Sequence, residues 1–518
     1  MRLVARNLRW LLLVFLLVAA SGFAVSAQAG EPQQGGTLVV AMPAEPANLD
    51  MQGSTLNYIR YIAWHFFETL FTPDENFDPI PMLASGYTVS EDGRIYTITL
   101  REGILFHNGK ELTSEDAVAS VKRAVDRGKM LGSFNILDVR AAGKYAMEIE
   151  LAEPMGLVIN ALALSRTSVT IHPKEAIDEA GNDGNITDYT GTGPFKFVDW
   201  QRGQYVLLER FDDYKPLDEA PNGYGGARVP YVDQIKFMFV TEPSVRAIGL
   251  EAGDFHLAWP LTPDDRDRLE SDPAVNVYTS APWMYSLIFS NSSSGLGGQL
   301  QFRQAVQAAV DCAEAMEGAV GDPGLYRLDP GIMWKETAWY STVGTELYNQ
   351  ADPARAKEIL FRMGYDGEPV RIVSSTTEQP LLSIALIVKQ QLEDIGMTVD
   401  LQTFDVATTK QVLLDPERWD LSPLDSSYRD HPLMLYRISG GLPIGWEDAG
   451  RDALVQAFWL EQDPVKASEI WDAIHGMYYL DVPIAKLGDF FDPIGVRTEV
   501  KGYVNMPEFF FWNVWLDD

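Results

Sequence analysis

The sequence predicts an α/β protein, and three observations carry the prediction. First, residues 370–401 spell a compact strand–helix–strand unit. Val370 to Val373 is strand-like, Ile384, Ile387, Val388, Leu392 and Ile395 mark one helix face, Gly396 supplies a stop, and Met397, Val399 and Leu401 alternate. Second, residues 86–125 combine a hairpin with a capped helix. Tyr96, Ile98 and Leu100 share one strand face after a Ser90-Glu91-Asp92-Gly93 turn, and Thr113 with Asp116 forms a capping box ahead of Val118, Val121 and Val125. Third, 518 residues with 46% hydrophobic content give enough apolar surface for a folded protein of several domains rather than a disordered chain.

The other elements follow in order. Thr37 to Met42 is a short apolar strand, closed by Pro43, Pro46 and an Asn48-Leu49-Asp50 turn. Leu56 to Leu70 reads as a helix rich in aromatic residues, and Asn108-Gly109 is a tight-turn pair. Gly181 to Gly193 is loop-like. Phe195 opens a strand that turns at Gln201-Arg202-Gly203 into a second strand, Tyr205 to Arg210. Arg303 to Glu314 reads as a helix, and Asp352-Pro353 starts another as N-cap and first-turn proline, with Gly364 at its end.

The ends and the composition bound the compartment and the chemistry. Arg2, Arg6 and Arg9 precede an uncharged apolar run, Trp10 to Ala20, and Ala27-Gln28-Ala29 fits a small-x-small cleavage site. The expectation is a secretory signal peptide over residues 1–29, a mature chain from Gly30 and a periplasmic location. The formal net charge of −32 argues against nucleic acid or an anionic membrane as partner. Cys312 is the single cysteine and reads as a small buried residue, so no intrachain disulfide forms. None of the six histidines pairs with another His or Cys at metal-ligand spacing, so no metal site and no cofactor is expected. The chain has neither a Walker A sequence nor a G-x-S-x-G elbow, and no feature points to an enzyme.

Several motifs in one order add a resemblance. Residues 67–126 carry E-x-L-F, P-x-L-A and S-x-D-G-x-x-Y-T-x-x-L-R-x-G-I-x-F-x-N-G-x-x-L-T-S-E-D-A-V-x-S. Gly191-Thr192-Gly193-Pro194-Phe195 leads into W-x-x-G-x-x-V-x-L-x-R-x-x-D-Y. F-R-Q-A-V-x-A-A-V-D starts at Phe302, D-P-A-R-A-K-E-I-L at Asp352 and Q-L-E-D-I-G-M-T-V-D-L at Gln391. From about Gly36 to the C-terminus the chain resembles the family 5 extracellular solute-binding proteins, the dipeptide- and oligopeptide-binding subunits of ABC importers, with nickel-, haem-, opine- and oligosaccharide-binding relatives. The resemblance implies a two-lobed, hinged periplasmic binding protein fold (class II) with an extra subdomain on the first lobe. It places the first lobe at about 30–70, 186–285 and 491–518, the extra subdomain at 71–185 and the second lobe at 286–490. It also implies a monomer that captures a small polar solute, peptide or peptide-like, and delivers it to a membrane permease with cytoplasmic ATPase subunits. The other readings are an opine- or oligosaccharide-binding member, and, in other classes, a secreted hydrolase or a sensor or chaperone on the same fold.

Candidate ligand contacts are aromatic residues beside turns and one polar segment. Trp283 and Tyr285 follow Pro282 where, by resemblance, a strand crosses between lobes. Trp334 lies after Asp329-Pro330, and Trp446 lies in Gly445-Trp446-Glu447-Asp448. Many peptide-binding members carry an Ala-Asp-Tyr-type segment whose Asp pairs with the ligand α-ammonium. The matching segment here is Ser426 to Pro432, with Tyr428 in place and Ser427 where the Asp would stand. A hydroxyl does not neutralise a buried ammonium. Either Asp425 or Asp430 takes over, or the solute lacks a free α-amine. Arg429 beside Ser427 suits a carboxylate or polyol.

Overall fold

A computed structural model describes residues 31–517, apart from 55, 129–133, 167–168, 182–183 and 436–444. The expected signal peptide lies outside the described residues. Two large sheets organise the chain. The first has seven strands, in the order Val275–Thr279, Pro493–Arg497, Leu257–Ala258, Thr37–Met42, Gln234–Phe239, Tyr205–Arg210 and Phe195–Gln201. Thr37–Met42 runs parallel to Gln234–Phe239 and to Leu257–Ala258, and the remaining pairs are antiparallel. The second has six strands, Tyr326–Arg327, Ile484–Phe490, Trp283–Phe289, Leu421–Ser426, Val370–Ser375 and Val399–Phe404. A third, four-stranded sheet (Ala84–Val89, Ile95–Leu100, Ala146–Leu151, Ile136–Ala141) is inserted between strands of the first.

Local chemistry explains most of these elements. Val370–Ser375 and Val399–Phe404 pair in parallel across helix Gln379–Asp394, which buries Ile384, Val388 and Leu392 and is followed by Gly396 at φ 94°. The capping box of Thr113 and Asp116 opens helix Ser114–Asp126, and Asp352 caps helix Pro353–Met363 by accepting from Arg355 N.

Two expected helices differ. Instead of running to Leu70, the first one spans Asn57–Ala63. The carbonyls of His65 and Phe66 accept from Phe195 N (3.1 Å) and Gly193 N (3.1 Å), so the backbone that would continue the helix is bound to the 191–195 segment. The run Arg303 to Glu314 is two helices, Leu300–Ala309 and Cys312–Val320. Asp311 separates them by capping the second through Ala313 N and Glu314 N. Cys312 is buried at the start of that second helix, and burial pushes its thiol up to about 12.

Packing ties the sheets together. Leu38, Val40, Phe237, Phe511 and Trp512 share the core of the first sheet. Ile98, Val121 and Ile149 of the inserted part join one continuous cluster with Trp334, Trp419 and Trp471, which pack beside the second sheet. Each fully buried large side chain stabilises the fold by roughly 1.5–3 kcal/mol. The chain passes between the two large sheets at 280–282 and at 491–492. Ser280 N donates to Asp492 O (2.8 Å) and Asp492 N to Ser280 Oγ (2.9 Å), which ties the two crossings side by side.

Candidate functional site

The crossings form the floor of a cleft. One wall comes from the first sheet: helix Asn57–Ala63, Trp259 and the segment 506–509. The facing wall is strand Leu421–Ser426 and its continuation through Arg429. Arg166, from the inserted part, stands at the edge of both. The cleft holds a cavity of about 280 Å³ that Tyr58, Arg166, Trp259, Trp283, Asp425 and Ser427 help to line, and a narrower recess reaching Tyr428 and Glu508. That volume sits near the lower end of the roughly 300–1,000 Å³ typical of ligand sites.

Asn57 organises the cationic side. Its Oδ1 accepts from Arg60 Nη2 (2.6 Å) and from Arg166 Nη1 (3.1 Å). Arg60 is buried and donates through Nε (3.0 Å) and Nη2 (2.7 Å) to Glu508 Oε1, a desolvated ion pair. Arg166 has no carboxylate within 4.0 Å among the described residues. Its Nη1 donates to Ser427 Oγ at 2.7 Å, and its Nη2 and Nε have no hydrogen-bond partner among them. Burial and the like charge of Arg60 pull the Arg166 guanidinium down to about 10, so it stays cationic at neutral pH. Arg429 Nη1 also donates to Ser427 Oγ, and to the carbonyls of Ser427 (2.7 Å) and Tyr428 (2.9 Å).

The structure gathers some of the expected contact residues and places others elsewhere. Trp283, Ser427, Tyr428 and Arg429 come together at the cleft. The Tyr428 ring packs between Phe77 (5.5 Å) and Trp334 (5.3 Å), and its buried hydroxyl has no hydrogen-bond partner among the described residues. Tyr285 is not a wall residue. It lies on the next turn of the pleat, stacked flat on Phe490 at 4.0 Å, inside the core of the second sheet. Trp334 is wholly buried behind Tyr428, within the apolar cluster. Trp446 is buried among helices, with Nε1 on Asp481 Oδ2 (3.2 Å). Asp430 is no substitute for the missing acid at 427. Its Oδ2 accepts from Ser165 N (3.3 Å), it lines neither cleft cavity, and burial raises its carboxyl above the usual carboxylate range. Asp425 does line the larger cavity.

Sequence reasoning missed Asn57, Arg60, Arg166, Trp259 and Glu508. Two carried a faint signal: Arg166 is a lone cation just after an apolar helix, Val158–Ala163, and Glu508 a lone acid before the aromatic run Phe509 to Trp512. Among the described residues, no group of three or more His, Cys, Asp or Glu is placed to hold a metal ion, and no helix is long and apolar enough to cross a membrane.

Comparison with known proteins agrees with the architecture. The family described as bacterial extracellular solute-binding proteins, family 5 Middle, matches residues 78–442. A glutathione-binding protein, GsiB, of Salmonella paratyphi A is 26% identical over 393 residues, 75% of this chain and 73% of the relative. The oligopeptide-binding protein AppA of Bacillus subtilis, solved with a nonapeptide, superposes with a TM-score of 0.74 at 22% identity, covering 94% of this chain and 100% of that one. AgaA of A. tumefaciens R10, solved with agropinic acid, gives a TM-score of 0.74 at 22% identity, covering 93% and 99%. These solved structures share the fold.

Proposed function

The chain belongs to the bacterial extracellular solute-binding proteins of family 5, and from that premise we propose that it is the periplasmic solute-binding subunit of an ABC importer. It captures a small polar, peptide-like solute between its two large sheets and hands it to a membrane permease driven by cytoplasmic ATPase subunits. It makes and breaks no bond, and it reaches the periplasm through a cleaved leader over residues 1–29. The two sheets are two lobes. The crossings at 280–282 and 491–492 are the hinge between them. Residues 71–185 form a subdomain of the first lobe.

The observation that carries this reading is the cleft itself. Its walls come from both sheets, the chain passes between them at two crossings that are hydrogen-bonded to each other, and polar groups from each wall converge on one cavity of about 280 Å³. A solute that touches both walls favours the closed arrangement, because only there are all its contacts made. The size suits a small solute better than a long peptide. Trp259 and Trp283 supply flat apolar surface, and Arg166, Ser427 and Arg429 supply donors that fix orientation.

The test is to release whatever solute co-purifies, identify it by mass spectrometry, and return it to stripped protein in small-angle scattering. A fall in the radius of gyration with one solute per chain is expected. Scattering that is unchanged at saturation would contradict capture by closure.

A further inference from the structure

We propose that the subsite at Ser427 recognises a carboxylate of the solute, and that Arg166 is its principal reader. The proposal rests on the solute-capture reading and deepens it. A serine hydroxyl has two acceptor lone pairs and one proton. Arg166 Nη1 and Arg429 Nη1 both donate to Ser427 Oγ, so its lone pairs are taken and its proton is left to give. Arg166 lines the cleft and keeps its Nε and Nη2 groups unspent among the described residues. The three groups offered at Ser427 itself are therefore donors, two of them on Arg166, while Asp425 lines another part of the same cavity.

An ammonium placed on Ser427 faces these donors and the Arg166 charge, and would have to look to Asp425 along the same cavity for an acceptor. A carboxylate receives a charge-assisted fork from Arg166 and a third bond from Ser427. The acid that pairs with an α-ammonium in resembling peptide-binding proteins is thus replaced by its electrostatic opposite. Arg166 also joins three parts of the fold, since it is rooted in the inserted part and reaches Asn57 on one wall and Ser427 on the other. A carboxylate bound to it sits where the walls meet, so recognition and closure coincide. The lowering of Arg166 by burial and by Arg60 agrees with an anion being welcome beside it.

Calorimetry with glutathione, N-acetyl-alanyl-alanine and the C-terminal amide of that dipeptide provides the test, on wild type, Arg166→Gln and Ser427→Asp. At least one free acid should bind wild type, and the amide should bind roughly tenfold or more weakly than its acid. Arg166→Gln should erase that preference. Ser427→Asp should abolish binding of the acids by pairing both guanidiniums internally, and its unchanged thermal unfolding would show an intact fold. Equal binding of acid and amide, no binding by any acid, or a preference that survives Arg166→Gln would overturn the proposal. Solute capture is judged separately, by the co-purified solute and scattering, so a neutral co-purified solute that closes the protein would sink the carboxylate subsite alone.

Discussion

Arg60 and Arg166 hang on the same oxygen, Asn57 Oδ1, at the edge of the same cleft, yet their surroundings are opposite. Arg60 is buried and closed upon itself, with Glu508 as counter-charge. Arg166 has no carboxylate within 4.0 Å among the described residues and spends only one nitrogen on neutral oxygens. An ion pair complete in the protein serves the fold. A partly buried cation left incomplete is a cost to the fold that a ligand can relieve. The comparison separates two kinds of cleft arginine that composition and charge counting treat alike.

The largest expected effect breaks the closed side. Glu508→Ala removes the counter-charge of buried Arg60 and should cost roughly 3–5 kcal/mol of stability, read by denaturant unfolding. The preference for acid over amide should survive wherever the variant still folds. A loss below 1 kcal/mol would show that Arg60 finds water or another partner, and the contrast with Arg166 would weaken. Asn57→Ala strikes both arginines at once. It should cost about 1–3 kcal/mol in stability and also reduce solute affinity, the one substitution expected to move both quantities.

A pH series separates the fold from the cleft. Burial holds His65 and His431 at about 3, and His107, His172 and His475 at about 4, so all five are neutral in the folded protein. The unfolded chain binds protons at these groups below about 6.5, and the folded chain does not. Their contribution to stability is therefore complete above about pH 6.5 and is lost as pH falls toward 4–3, about 2 kcal/mol each by pH 5. None of the five lines the two cleft cavities. Thermal melts from pH 7.5 to 5, with imidazole NMR signals that fail to titrate, check this. Titration of all five near 6.5 would contradict their burial as neutral groups.

A smaller effect concerns encounter. With a net charge of −32 the protein repels an anionic solute at long range, even though the subsite attracts it. Raising ionic strength from about 20 to about 200 mM should speed association of an acid by a few-fold in stopped-flow fluorescence, since screening shortens the repulsive reach to below roughly 10 Å. Slower association at high salt would mean the local cationic field dominates. The smallest effect is a null. Trp446→Phe removes the bond to Asp481 and part of a buried ring packed on Tyr478 and Arg451, outside the lining of both cleft cavities, and should leave affinity within about twofold.

Much of the fold was readable because its signals are local. The capping box at Thr113, the strand face of Tyr96, Ile98 and Leu100, and the unit from Val370 to Leu401 each show within a short window of sequence. The failures were tertiary. The helix from Asn57 ends early because the distant 191–195 segment claims the carbonyls of His65 and Phe66. The site divides in the same way. Trp283, Ser427 and Arg429 stand beside turns or in a segment that resembles a known one. Arg60, Arg166 and Glu508 come from three regions separated by up to 448 positions, and no periodicity links them. Trp334 and Trp446 look like turn-borne cleft aromatics in sequence, yet they fill space between helices.

The most direct test of the account is the identity and stoichiometry of the solute released from purified protein by gentle denaturation and read by mass spectrometry. One small polar solute per chain, carrying at least one carboxylate and too small to be a long peptide, is the predicted result. A solute with no acidic group would contradict the reading of Arg166 and Ser427. A long peptide in its place would contradict the cleft of about 280 Å³ on which that reading stands.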